Sequence, residues 1–281
     1  MKIIRTIKEM QKESRRLVAA GKRIGLVPTM GFLHDGHLSL IARARREADV
    51  VVTTIFVNPA QFAPHEDFAK YPRDEKGDIR KIARAGGTIV FIPKANAMYA
   101  DGFQTYVNVE ELSKPLEGTV RPGHFVGVAT VVAKLFNITR PDVVVFGQKD
   151  FQQATILRRM TLDLDYPIKY IVAPTVRERD GLAMSSRNKY LDSTARREAV
   201  ALIRALRTAK AMVRSGTVNS RTIQKEMRAV IKGTCPTANI DYIAFTDTAT
   251  LSASPRVTKG VVCSLAVRVH GVRLIDNMKL L

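Results

Sequence analysis

The feature that most constrains this chain is the alternation, through its N-terminal third, of short apolar runs with stretches of helical spacing. Residues 2–5 are apolar-centred, 24–27 are apolar around Gly25, 50–57 are β-branched and nearly all apolar, and 88–92 repeat the pattern until Pro93 stops it. Runs this short and apolar read as strands covered on both faces. Thr6 with Glu9 three residues on gives a capping-box start for a helix running to about Ala20 and stopping at Gly21. Leu38, Ile41, Ala42 and Arg45 space a second helix to about Ala48, and a charged third one follows Pro72 and ends at Gly86-Gly87. The order β-α-β-α-β-α-β implies a parallel sheet with right-handed crossovers, in which ligands bind outside the carboxyl ends of the strands.

Beyond the fourth strand, residues 104–109 alternate like a small exposed strand, Arg121-Pro122-Gly123-His124-Phe125 form a turn, and 126–138 read as an apolar helix. Residues 143–146 form a buried strand, followed by a helix over about 150–163 and a strand over 168–172. From Pro174 the texture changes. Residues 180–188 read as a polar loop with no room for core, and helices then cover about 199–216 and 220–231. Two strands, 240–245 and 261–269, complete a smaller α+β domain. The expected division is therefore a larger domain over 1–175 and a smaller one over 176–281.

Charge narrows the partners. Lys plus Arg number 45 against 26 Asp plus Glu in 281 residues, a formal charge of +19, which suits anionic partners. Residues 187–232 alone hold twelve basic and three acidic side chains. They lack the aromatic interleaving of a single-strand nucleic-acid surface, so a solvated helix face is the simpler reading and no nucleic-acid partner is expected. Cys235 and Cys263 are the only cysteines and have no metal-type or redox-type neighbour pattern, which fits a reduced, cytoplasmic setting. No apolar run approaches the ~18–20 residues of a membrane span, and residues 1–5 are not a signal-type start, so no membrane partner is expected.

Four loops carry possible chemistry. The stretch 27–40 joins the second strand to the second helix and holds His34 and His37 on either side of Gly36. A bare His-x-x-His pattern is most often two surface histidines, or a metal half-site. Zinc needs three or four ligands, and no third is apparent nearby. If the helix starts near His37, its unpaired N–H groups and positive dipole end face the imidazoles, a berth for phosphate. Met184-Ser185-Ser186-Arg187 combines two hydroxyls with a guanidinium fork, which can grip phosphate oxygens or simply belong to an exposed linker. Gly147-Gln148-Lys149-Asp150, with Gln153 one turn on, puts a lysine at a strand end and a helix start, and reads equally as a plain βα turn. Gln61 follows Asn58-Pro59, where its amide could bind a hydroxy acid or cap local backbone.

Taken together with their order, these stretches resemble the pantoate–β-alanine ligase family, within the nucleotidylyltransferase superfamily. The matching residues are Pro28 through Gly31 and on to His37, then Phe56-Val57-Asn58-Pro59 with Gln61-Phe62, and Tyr71-Pro72-Arg73. Further on are Arg121 through Phe125 with Gly127-Val128, Phe146 through Asp150 with Gln152-Gln153, Pro174 through Arg177, Asp180 through Asn188, and Arg273 through Asn277. They span essentially the whole chain. One departure is Asp74, where the family usually continues Tyr-Pro-Arg with Thr.

The resemblance implies an α/β fold: a Rossmann-like parallel sheet of the HxGH nucleotidylyltransferase type with a smaller C-terminal α+β domain acting as a lid. It implies ATP-dependent condensation of (R)-pantoate with β-alanine through a pantoyl adenylate, releasing AMP and pyrophosphate. Another nucleotidylyltransferase reaction on the same fold is the alternative. His34, His37, Lys149, Ser185, Ser186 and Arg187 become the catalytic set, with His37 as proton donor or charge stabiliser. Met30, Gly31, Phe32, Leu33, His34, Asp35, Gly36, His37, Gly147, Gln148, Lys149, Asp150, Val176, Met184, Ser185, Ser186 and Arg187 would line the ATP site. Gln61 would bind pantoate and face β-alanine, Gln153 would bind pantoate, and Asp78 would ligate Mg²⁺. The family also implies a homodimer through the larger domain.

Overall fold

A computed structural model of the chain describes residues 1–63, 66 and 68–281; the expected polar loop over 63–71 includes Pro64, His65 and Asp67, which lie outside the described residues. The residues group into two compact units, Met1–Gly147 with Ile156–Pro174, and Gln148–Thr155 with Thr175–Leu281.

The first unit runs β1 (Lys2–Ile4), α1 (Ile7–Ala19), β2 (Ile24–Val27), α2 (Asp35–Arg45), β3 (Val50–Thr54), α3 (Glu75–Arg84), β4 (Ile89–Phe91), α4 (Ala95–Met98), α5 (Glu117–Val120), α6 (His124–Thr139) and β5 (Val143–Gly147). After α7 (Phe151–Asp163) it closes with β6 (Lys169–Ala173). All pairings are parallel, in the order β1-β4-β3-β2-β5-β6. The expected α/β architecture with a parallel sheet is present. Alternate strand residues face opposite sides. Val27, Val51, Val90, Val143 and Val145 meet Leu40, Ile41 and Ala44 of α2 and Ile82 of α3. On α1, Ser14 donates to the Ile138 carbonyl of α6 at 3.2 Å. Thr6 caps α1 as expected, accepting the Glu9 N–H at 3.2 Å, and Asp74 caps α3 through the Gly77 N–H at 3.0 Å. The family's Thr at position 74 is thus replaced by an equally competent cap.

The strand order reverses direction at one place. From β2 the chain winds outward through β3 and β4, and from β5 it winds the other way to β6, so β2 and β5 lie side by side at the switch. Open α/β sheets take ligands outside the carboxyl ends of the strands at such a switch.

Residues 104–109 form no strand. Tyr106 is exposed, and the Val107 N–H donates instead to Thr130 Oγ1 of α6 at 2.9 Å.

The second unit contains α8 (Ser193–Glu198), α9 (Ala201–Arg214), α10 (Ser220–Thr234) and an antiparallel meander β7 (Asn239–Asp247), β8 (Val261–Val269) and β9 (Val272–Lys279). Leu202, Leu206, Ile223, Met227 and Ile231 pack with Ile243, Leu265 and Val267 as its core. Two strands were expected and three are found. Buried Asp276 and Asn277 interrupt the apolar alternation of β9, so its sequence does not read as a strand. The loop over 180–188 also carries core, since Leu182 and Ala183 are buried. Within it the Met184 N–H meets the Val176 carbonyl at 3.0 Å and the Glu178 N–H meets that of Leu182 at 2.8 Å.

Candidate active site

The histidine loop leaves β2 and turns through two left-handed residues, Gly31 (φ +83°) and Phe32 (φ +51°). A Cβ at Gly31 would also lie 3.0 Å from both Asp78 Oδ2 and Ile55 Cγ2, so glycine serves the backbone and the packing together. The turn is held from α3. Asp78 Oδ2 accepts the Phe32 N–H and Oδ1 the Leu33 N–H, each at 2.7 Å, while Lys81 Nζ donates to the Leu33 carbonyl at 2.8 Å. Burial pushes the Asp78 carboxyl pKa up, and the two N–H donors and Lys81 draw it back.

α2 begins at Asp35, two residues earlier than expected, with His34 as its N-cap and His37 in its first turn. The rings of His34 and His37 lie 4.1 Å apart, tilted by 38°. The His34 N–H points to His37 Nδ1 at 3.4 Å, so neutral His37 carries its proton on Nε2, from which it can be donated. Imidazoles and the positive end of α2 thus share one place, and an anion is the ligand such a place favours.

Gln61 joins this loop. Its Nε2 lies 3.2 Å from Met30 Sδ, and its Oε1 accepts from Asn58 Nδ2 at 3.1 Å. Asn58 is in turn fixed by the Tyr99 hydroxyl at 2.8 Å and by the Gly127 carbonyl at 3.1 Å. The turn at Pro59–Gln61 packs so closely on α6 that a Cβ at Gly127 would fall 2.0 Å from the Ala60 carbonyl oxygen. His124 Nδ1 donates to the Gln61 carbonyl at 2.8 Å, and Arg121 clamps Glu66 through Nε at 2.5 Å. Burial first, then the Arg121 charge, hold the His124 imidazole down at about 4, so it is neutral at physiological pH.

In the second unit, Gln148, Lys149 and Asp150 form one turn of 3-10 helix ahead of α7, with half-buried Gln153 on the helix. Asn277 of β9 holds that turn, its Nδ2 donating to the Gln148 and Lys149 carbonyls at 2.9 Å each. Lys149 Nζ lies 3.4 Å from Asp150 Oδ1. The serine loop is scaffolded as well. Arg177 pairs with Asp276 through two bonds of 2.6 and 2.9 Å, Arg196 bridges Asp180 and Glu178, and Asn188 Nδ2 reaches Glu178 and the Ala183 carbonyl. Ser185 caps a short 3-10 helix, Ser186–Tyr190, that carries Arg187. The segment leading into the serine loop is thus built around internal ion pairs and a backbone pairing of Arg177 with Ala183.

The structure therefore draws together Met30 through His37, Gln61 and Asp78 in the first unit, with Gly147 closing β5 beside β2. In the second it draws together Gln148 through Asp150 with Asn277, and Val176 with Met184. Asp78 does not fit the expected role of magnesium ligand. Its side chain is fully buried, and both oxygens already accept backbone N–H groups at hydrogen-bond distance. Asn58, Arg121, His124, Arg177, Asp276 and Asn277 escaped assignment, although all six lie in the stretches that carry the resemblance. Their polar atoms act on backbone and side chains far away in sequence, which no local pattern displays.

The family model of pantoate-beta-alanine ligase matches residues 2–279. The chain belongs to that family. A pantoate–β-alanine ligase joins the carboxyl of pantoate to the amine of β-alanine in an amide bond, and the reaction expected from the sequence stands. Curated members similar to this chain include the pantothenate synthetase of Roseiflexus castenholzii, 50% identical over 99% of this chain and 98% of that one. That of Moorella thermoacetica is 48% identical over 100% and 99%. Among solved structures, the Thermus thermophilus pantothenate synthetase superposes with a TM-score of 0.94 at 41% identity, covering 100% of this chain and 99% of that one. The Francisella tularensis pantoate–β-alanine ligase, described as complexed with beta-gamma ATP and β-alanine, gives 0.79 at 34% identity, over 100% and 98%. Among the described residues no helix is long and apolar enough to cross a membrane.

Proposed function

We propose that this ligase works through a pantoyl adenylate, with ATP, (R)-pantoate and β-alanine as substrates. In the first step a pantoate carboxylate oxygen attacks the α-phosphorus, the bond from that phosphorus to the bridging oxygen breaks, and pyrophosphate leaves with the electron pair. In the second the β-alanine amine attacks the pantoyl carbonyl carbon, the acyl–oxygen bond breaks, AMP leaves, and the amine gives up a proton.

Met30 through His37, Gly147 through Asp150, Val176 and Met184 through Arg187 bind ATP in this reading. The His37 Nε2 proton is directed to the phosphate oxygens, where it can be donated or can steady charge, and the tilted His34 ring lies beside it. Lys149, Ser185, Ser186 and Arg187 stabilise the charge that gathers on the departing pyrophosphate, the kind of contribution expected to dominate phosphoryl and nucleotidyl transfer. Gln61 orients pantoate and faces β-alanine, and Gln153 holds pantoate. The observation that carries the reading is the contact of Gln61 with Met30. It sets a neutral amide, fixed by Asn58, against the nucleotide loop, which suits an uncharged hydroxy-acid body better than a phosphorylated acceptor. Magnesium enters no step through Asp78.

The proposed setting is the cytoplasm and the proposed assembly a homodimer through the first unit. Exposed Leu162, Leu164 and Val172, at the end of α7 and on the edge strand β6, supply apolar surface for it. The decisive measurement is pantoate-dependent exchange of labelled pyrophosphate into ATP. His37→Ala and Lys149→Ala should each lose most of that exchange while keeping the wild-type circular dichroism spectrum. Undiminished exchange in both would refute the assignment.

A further inference from the structure

Away from every residue given a role above, three side chains of the second unit converge from distant parts of the chain. Glu198 ends α8, Cys235 caps the carboxyl end of α10, and His270 sits in the turn between β8 and β9. Glu198 Oε2 and His270 Nε2 are 2.9 Å apart, and the Cys235 sulfur, a Glu198 oxygen and a His270 nitrogen all lie within 4.8 Å of one another. His270 adopts a left-handed backbone, φ +46°, ahead of Gly271 at φ +82°, and that turn directs the ring back toward the helix ends.

We propose that Glu198, Cys235 and His270 bind one zinc-class divalent cation. A thiolate, an imidazole and a carboxylate are the donor types of a tetrahedral zinc site, and three of them leave a fourth position for water. Magnesium and calcium, which want oxygen ligands, are excluded by the sulfur and nitrogen. Bond lengths of about 2.0–2.3 Å place neighbouring zinc ligands roughly 3.3–3.8 Å apart. The Glu198 carboxylate and His270 ring, 2.9 Å apart, therefore need to part slightly, which side-chain rotation can supply.

Without metal the three groups form a hydrogen-bonded chain. The Cys235 thiol and the His270 ring hold the Glu198 carboxyl below its ordinary range, while burial and then Glu198 push the thiol up. On binding, the thiol proton passes to solvent and the sulfur–metal bond takes its place, so uptake weakens as pH falls. Burial suits the sulfur, since Cys235 is fully buried, while Glu198 and His270 are 26% and 35% exposed and leave an entry path. Arg197 lies close enough to affect the carboxylate and opposes a cation; Asp192, which faces His270, offsets it. A bound ion would tie the ends of α8 and α10 to the β8–β9 turn, and would stabilise the folded chain by mass action.

The test uses the full chain stripped with chelator and titrated with Zn²⁺ or Co²⁺ alone. The expected result is one ion per chain, a thiolate-to-cobalt charge-transfer band, and a rise in Tm with zinc that magnesium does not produce. Cys235→Ser should abolish the band and the Tm rise. His270→Gln, on an exposed turn where folding is not at stake, should weaken binding at least tenfold. Absence of the cobalt–thiolate band in the wild type, or an equal zinc response in His270→Gln, overturns the site and leaves the trio as a hydrogen-bond network.

Discussion

Asp78→Asn removes one acceptor from the histidine loop with almost no change of shape. Whichever way the amide sits, its NH₂ faces either the Phe32 or the Leu33 N–H, both now bonded to the carboxylate at 2.7 Å. A hydrogen bond to a charged partner contributes about 1.5–3 kcal/mol, and here its loss also leaves a buried donor facing another donor. With the side chain fully buried, water cannot make up the deficit. The cost falls on the arrangement of Gly31 and Phe32, both at positive φ, and through them on His34 and His37. If the productive loop is destabilised by about 1.4–2.8 kcal/mol, pyrophosphate exchange should fall roughly 10- to 100-fold. The assay measures that exchange at saturating pantoate over a range of Mg²⁺ concentrations. An anchor variant loses rate at every concentration and keeps the wild-type half-saturation for Mg²⁺. Restoration of the rate by excess Mg²⁺ would refute the anchor and return Asp78 to the metal.

Three other perturbations probe the remaining supports. His124 is held neutral down to about 4, whereas an unfolded imidazole titrates near ~6.5. Its contribution is fully present above the unfolded value and is lost as pH falls toward the folded one, about 3 kcal/mol in all. His124→Asn, which keeps a donor for the Gln61 carbonyl, should show a shallower fall of Tm between pH 6.5 and 4; an unchanged slope would place the acid sensitivity elsewhere. Gly127→Ala puts a methyl 2.0 Å from the Ala60 oxygen and must move the Asn58–Gln61 turn. KM for pantoate should rise at least tenfold with that for ATP little changed, and equal rises would contradict Gln61 as the pantoate residue. Asn277→Ala removes both bonds to the Gln148 and Lys149 carbonyls, together about 1–3 kcal/mol. It should cut the exchange rate about tenfold, and a wild-type rate would show that Lys149 needs no support from β9.

The division between what the sequence disclosed and what it concealed follows a physical line. Strands β2 to β5 were legible because burial on both faces leaves continuous β-branched runs, and the longer helices were legible from their caps and spacing, whereas the short α4, α5 and α8 were not expected. The loops proposed to face substrate stood out in the sequence because glycines, histidines and hydroxyls cluster in them. The supports were not. Asp78 acts on residues 46 and 45 positions away, Arg177 meets Asp276 across 99, and Asn277 reaches the Lys149 turn across 128. A carboxylate on a charged helix looks alike whether it faces water, a metal or two buried N–H groups, and the family resemblance led to the expectation of Asp78 at magnesium. The same blindness covers β9 and the Cys235 cluster, whose partners come from three separate elements.

These distant supports also resolve an electrostatic difficulty. The loops proposed to bind ATP contain or adjoin carboxylates, Asp78 in the first unit and Asp150, Glu178, Asp180 and Asp276 in the second, and an unmatched carboxylate beside a bound triphosphate would repel it. Asp78 instead lies against two N–H groups, Asp276 against the Arg177 fork, Glu178 and Asp180 against Arg196, and Asp150 near Lys149. Asp276, Glu178 and Asp180 are each paired with a guanidinium that also ties the loop together, and Asp78 is hydrogen-bonded to two backbone N–H groups. A variant such as Arg196→Gln, which leaves Glu178 and Asp180 unmatched, should therefore raise KM for ATP more steeply at low ionic strength than at high, because salt screens the released charge. Loss of affinity independent of salt would mean that Arg196 acts on loop geometry alone.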